Sequence, residues 1–132
     1  MTAPEDPMVL VVDDDADIRE MLVFVLENNH LRVIDAGRGD DALAKARLNP
    51  DLSLILLDLR MPGMSGAEVL DRLKHDPALV SLPVIVLSGD RDAQRTATSL
   101  GAEGCLMKPI SIPALMREVA RFVPVPGRAV GP

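Results

Sequence analysis

Leu54-Ile55-Leu56-Leu57-Asp58 sets four unbroken apolar residues against one carboxylate. A run with no polar alternation is what a strand shows when both its faces are covered, because neither side meets water. Such strands belong to parallel sheets flanked by helices. A charge directly after one stands at the rim of the sheet, where ligands bind in open α/β folds. A few residues on, Ser65 and Glu68 are spaced as a capping box. A helix is therefore predicted to start there and to bury Val69, Leu70 and Leu73.

The same alternation of periods extends in both directions. Residues 9–12 are a short apolar strand, and Ile18, Met21, Leu22, Val25 and Leu26 follow as one helical stripe. Residues 31–34 read as a second strand, with a weaker helix through Ala42, Leu43 and Ala46. Pro83 opens a fourth strand over 84–87, and Ala93, Thr96, Ala97 and Leu100 recur at helical spacing. A fifth strand covers about 104–107, and Leu115, Val119 and Phe122 mark a last helix. Each unit is long enough for a crossover helix, so the fold class is α/β: five strand-helix units around a parallel sheet with helices on both faces. The expected organisation is one domain over 8–122, an extension over 1–7, and a Pro- and Gly-rich tail or linker stub over 123–132.

Composition narrows the function. With 132 residues, 48% of them hydrophobic and 26% charged, the chain suits a folded domain with a real core. No apolar run approaches the roughly 18 residues of a membrane span. The net charge of -6 argues against a nucleic-acid surface in this domain. A single cysteine, Cys105, precludes an internal disulfide and fits a cytoplasmic location.

The residues after the strands carry the chemistry. Asp13, Asp14 and Asp15 follow the first, Asp58 the third, Ser88 the fourth and Lys108 the fifth. If the first and third strands are neighbours, as in the order 2-1-3-4-5, Asp13, Asp14 and Asp58 converge. Clustered carboxylates repel unless protonated or neutralised by a cation. An oxygen-only site without His or Cys suits Mg²⁺ or Mn²⁺ rather than Zn²⁺. With Lys108 as a cationic clamp and Ser88 as a hydroxyl donor, the parts fit phosphoryl transfer onto a carboxylate.

Val11-Val12-Asp13-Asp14-Asp15, Leu57-Asp58-Leu59-Arg60-Met61-Pro62-Gly63-Met64-Ser65-Gly66, Val86-Leu87-Ser88-Gly89 and Met107-Lys108-Pro109 together resemble the signatures of response-regulator receiver domains. The resemblance covers about 8–122; each motif alone is weak, and the ordered set is specific. It implies a flavodoxin-like (βα)5 fold with strand order 2-1-3-4-5. It implies Asp58 as phosphoacceptor, with Ser88 and Lys108 on the phosphoryl group. Mg²⁺ would be held by Asp13 (largely through water), Asp14, Asp58 and the Arg60 backbone carbonyl. It further implies a cis Lys108-Pro109 bond and a domain that catalyses its own phosphorylation and slow dephosphorylation rather than acting as a turnover enzyme. The implied partners are a sensor histidine kinase or phosphotransfer protein and a downstream output partner or domain. A monomer, or a weak phosphorylation-dependent dimer, is expected.

The same residues admit competing readings. Asp15 alone reads as a helix cap. The spacing Asp13, Asp15, Asp17 mimics a calcium loop, but Ile18 and Phe24 stand where glycine and glutamate are needed. A small-molecule aspartyl-phosphate hydrolase would want an acid where Arg60 stands, and a flavin-binding loop would not be acidic. A phosphorylation-independent interaction module of receiver type would show a broken acidic site, whereas this one is complete. His30 and His75 are expected in loops and receive no role, and Cys105 reads as a small core residue. Cys105 also occupies a position where many receivers carry a ring, so switching is expected to rely on residues 88–92 and the fourth helix. Arg60 and Asp90 are expected to pair across the pocket and to hinder the attacking water.

Overall fold

The structure, a computed structural model, describes residues 5–125. Five strand-helix units follow in order: β1 (Met8–Val12), α1 (Ala16–Asn28), β2 (Arg32–Ala36), α2 (Gly39–Leu48), β3 (Leu52–Asp58), α3 (Gly66–His75), β4 (Val84–Ser88), α4 (Arg91–Ser99), β5 (Gly104–Met107) and α5 (Ile112–Phe122). All strands are parallel, in the order β2-β1-β3-β4-β5. This is the doubly wound, flavodoxin-like arrangement. No described helix is long and apolar enough to cross a membrane.

The unbroken apolar strands feed two cores at once, because successive side chains leave a strand on opposite faces. Leu10, Val12, Ile55, Leu57, Val84 and Val86 pack with α2, α3 and α4. Val9, Val11, Leu54, Leu56, Ile85 and Leu87 pack with α1 and α5. Each fully buried Leu or Ile contributes about 1.5–3 kcal/mol through removal from water.

Helix starts are fixed by short polar side chains. Asp15 Oδ1 accepts from the amides of Asp17 (2.9 Å) and Ile18 (3.2 Å). Ser65 Oγ accepts from Glu68 N at 3.2 Å, and Asp90 Oδ1 from Asp92 N at 2.9 Å. Such caps contribute about 1 kcal/mol each.

Four local expectations need correction or extension. The second strand begins at Arg32, not Leu31, and continues to Ala36. His30 takes φ 63°, and the Leu31 amide donates to Leu26 O, so Leu31 closes the turn after α1 while still being buried. Cys105 is exposed rather than in the core. It sits on the edge strand β5, where only Leu106 points into a covered face. His75 lies in the last turn of α3, not in a loop, with Nδ1 2.8 Å from Asp71 O. Val123, at the start of the expected tail, is buried against the α1–α5 core, and 126–132 lie outside the described residues.

Candidate functional site

Register brings the functional side chains level. Val12 pairs with Leu57, Asp58 with Leu87, and Ser88 with Met107. The residues that follow these strands therefore collect along one rim. Asp13, Asp58 and Ser88 are the buried polar or charged residues among those described, at 0%, 3% and 2% exposure. Asp14 is exposed at the mouth. One carboxylate oxygen from each of Asp13, Asp14 and Asp58 lies within 4.8 Å of the others.

Lys108 reaches across from the end of β5. Its Nζ donates to Asp13 Oδ2 at 2.9 Å and lies 3.3 Å from Asp58 Oδ1. The Arg60 amide donates to the same Asp58 oxygen at 3.3 Å. Lys108-Pro109 is cis, as the resemblance implied. The backbone of β4 and β5 closes the floor, with Lys108 N donating to Ser88 O at 3.0 Å.

The electrostatics follow from burial and crowding. Asp58 is pushed up from 3.8 to about 6, chiefly by burial and then by the charge of Asp13; Lys108 and the Arg60 amide only partly counter this. Burial is the largest influence on Lys108 and acts to lower it. The hydrogen bond to Asp13 and the charges of Asp58 and Asp13 outweigh burial, so the ammonium is held above its usual range. Asp90 is held below the usual carboxylate range by the Asp92 amide and then by Arg60.

Two expected partners differ in how they join the cluster. Ser88 is in place, but its hydroxyl is turned to its own loop. It donates to Asp90 O at 3.2 Å and accepts from Asp90 N at 3.0 Å. Arg60 and Asp90 pair as expected, Nη2 to Oδ2 at 2.6 Å, joining the loops after β3 and β4.

Sequence reasoning left two residues unassigned. A Cβ on Gly66 would stand 2.1 Å from Asp58 O and 2.6 Å from Leu59 Cα, so only glycine lets α3 start against the Asp58 loop. Arg19 donates from Nη1 to Asp13 O at 2.7 Å and from Nε to Asp35 Oδ2 at 2.9 Å. The only signal for it was a cation one turn into the helix that follows the acidic loop.

The model of the response regulator receiver domain family matches residues 9–120. This chain is a receiver domain. The two-component response regulator ORR11 of Oryza sativa subsp. indica is 32% identical over 120 residues, covering 89% of this receiver and 82% of that protein. The phosphate regulon transcriptional regulatory protein PhoB of Escherichia coli is 35% identical over 121 residues; the receiver spans 52% of it, about half its length. Among solved structures, the chemotaxis protein CheY4 of Vibrio cholerae superposes with a TM-score of 0.83 at 28% identity, over 89% of this receiver and 99% of that chain. A response regulator receiver protein from Pseudomonas putida gives 0.83 at 28%, over 90% and 99%.

Proposed function

We propose that Asp58 accepts a phosphoryl group from the phosphohistidine of a sensor kinase or phosphotransfer protein, in the cytoplasm, and that a divalent cation at the acidic cluster is required. The observation that supports this most is the convergence of three carboxylate oxygens within 4.8 Å, bordered by Lys108 Nζ. The donor set fits Mg²⁺ or Mn²⁺, being all oxygen with room left for water. The excess negative charge that raises Asp58 is what a divalent cation neutralises. Asp14 and Asp58 would hold it directly, Asp13 largely through water, and the Arg60 carbonyl would complete the protein ligands. Bound there, Mg²⁺ supplies charge neutralisation for the carboxylates and the phosphoryl oxygens.

The chain's own groups then do the following. An Asp58 carboxylate oxygen attacks phosphorus while the bond from phosphorus to the imidazole nitrogen breaks. The electron pair stays on that nitrogen, which takes up a proton. Lys108, already 3.3 Å from Asp58 Oδ1, clamps one phosphoryl oxygen. Ser88 Oγ leaves the Asp90 carbonyl to donate to another oxygen. That rotation moves the loop 88–92 and the start of α4. Because exposed Cys105 offers no ring to swing inward, this loop carries the switch. Dephosphorylation is attack by water on phosphorus, with cleavage of the phosphorus–oxygen bond to Asp58 and release of inorganic phosphate. The Arg60–Asp90 pair narrows the approach of that water.

Borohydride trapping tests the acceptor directly. Reduction of an acyl phosphate at Asp58 yields homoserine, which peptide mapping locates. Homoserine at Asp58 is expected; a label on another residue would contradict the assignment.

A further inference from the structure

Arg19 makes none of the contacts assigned above to phosphoryl transfer, yet it is tied to the site by its backbone. It lies one turn into α1, with its side chain 22% exposed. The guanidinium forks between Asp13 O (2.7 Å) and Asp35 Oδ2 (2.9 Å). Gly37 closes over it, since a Cβ there would stand 3.0 Å from Nη1. The Asp35 carbonyl in turn accepts from Lys45 Nζ of α2 at 2.5 Å. One guanidinium therefore joins α1, the end of β2 and the acidic loop after β1.

The bond to Asp13 O matters because of what shares its plane. The Asp13 carbonyl and the Asp14 amide belong to one rigid peptide unit. Asp13 is otherwise fully engaged: its N donates to Ala36 O (3.2 Å), Oδ1 accepts from Asp15 N (3.0 Å) and Oδ2 from Lys108 (2.9 Å). Asp14 is exposed and its carboxylate meets that of Asp58 at the mouth of the site, so the peptide that carries it helps to set where that carboxylate stands. Arg19 fixes the tilt of that backbone. Asp35 also offsets much of the Arg19 charge, so the guanidinium can approach an intended cation site without repelling its occupant.

We infer that Arg19 is a positioning residue for the divalent cation, holding the Asp13–Asp14 peptide so that the Asp14 carboxylate faces the site. This rests on the Mg²⁺ reading given above. Positioning and plain electrostatics predict opposite signs. If Arg19 acted only through its charge, removing it would tighten Mg²⁺ binding. If it positions Asp14, removing it loosens binding, and supports behind metal ligands typically alter affinity about 10–100-fold.

The experiment is a Mg²⁺ titration followed by ¹H–¹⁵N NMR on the wild type, Arg19→Gln, Arg19→Lys and the control Arg32→Gln, whose Asp51 partner lies at the other end of the sheet. Far-UV circular dichroism establishes that each variant is folded. Arg19→Gln is expected to raise Kd about tenfold and to shift the metal-free amide signals of Asp14 and Asp15. Arg19→Lys, which keeps a donor within reach of Asp13 O, recovers part of the loss; Arg32→Gln leaves Kd unchanged. Should Arg19→Gln not fold, Arg19→Lys carries the test, with a Kd above that of the wild type. Equal or tighter binding by the folded Arg19 variant overturns this inference while leaving the cation reading intact. Absence of saturable Mg²⁺ binding in the wild type overturns both.

Discussion

Replacing Asp58 by Asn should stabilise the metal-free protein above neutral pH and not at acid pH. Asn has the shape of the carboxyl group without its charge, and that charge is what the folded site opposes. The folded value of about 6 against an ordinary 3.8 is a difference of roughly two units. At about 1.4 kcal/mol per unit, the ceiling is roughly 3 kcal/mol, and water at the open Asp14 side brings the expectation to about 1.5–3 kcal/mol. The sign follows from linkage. A group whose folded value is raised stabilises the fold below its unfolded value, and that contribution is lost as pH rises through the folded value. The wild type therefore loses stability relative to Asp58→Asn between about pH 4 and 7. Urea unfolding of both proteins in EDTA across pH 4.5–8 measures it, and subtracting the two curves cancels the carboxylates that do not touch Asp58. Adding Mg²⁺ at pH 8 should then stabilise the wild type more than the variant, by mass action on the folded state. A difference between the two curves that stays flat within about 0.5 kcal/mol would refute the claim that Asp58 is the strained charge of the site.

Lys108→Ala leaves Asp13 and Asp58 facing each other without their shared counter-charge. Because the lysine is 23% exposed, the expected loss at pH 7 is about 1–2 kcal/mol rather than the 3–5 of a fully buried pair, measured by urea unfolding in EDTA. Gly66→Ala drives a methyl into the Asp58 backbone and should cost about 3 kcal/mol, read from the same assay. Arg60→Asn removes the 2.6 Å pair to Asp90 and should change the dephosphorylation rate modestly, followed by the decay of phosphorylated protein after donor removal.

The sequence carried the fold because its three central strands are apolar on both faces and every strand is followed by a helical stripe. Leu54 through Leu57 pointed to a strand covered on both faces. The strand order rested on the family resemblance, since hydrophobic period does not encode which strands are neighbours. Edges were harder. Leu31 is as apolar as a strand residue, but the left-handed turn at His30 decides its role. Cys105 looked like core because small apolar character gives no hint that β5 is an edge strand, with one covered position at Leu106. In the site, Asp13, Asp14, Asp58, Ser88 and Lys108 were legible from their shared place after strands. The rotation of Ser88 toward Asp90 and the fork of Arg19 were not, because both depend on which backbone atoms the loops present. Gly66 was visible as a letter, but its reason is a 2.1 Å approach to the Asp58 carbonyl that arises only once the chain is folded.

The most direct measurement is the intact mass of the protein after incubation with acetyl phosphate, with and without Mg²⁺. The account predicts a gain of one phosphoryl group, about 80 Da, that requires Mg²⁺, is lost in alkali and is absent from Asp58→Asn. A gain that persists without a divalent cation, or in Asp58→Asn, would contradict it.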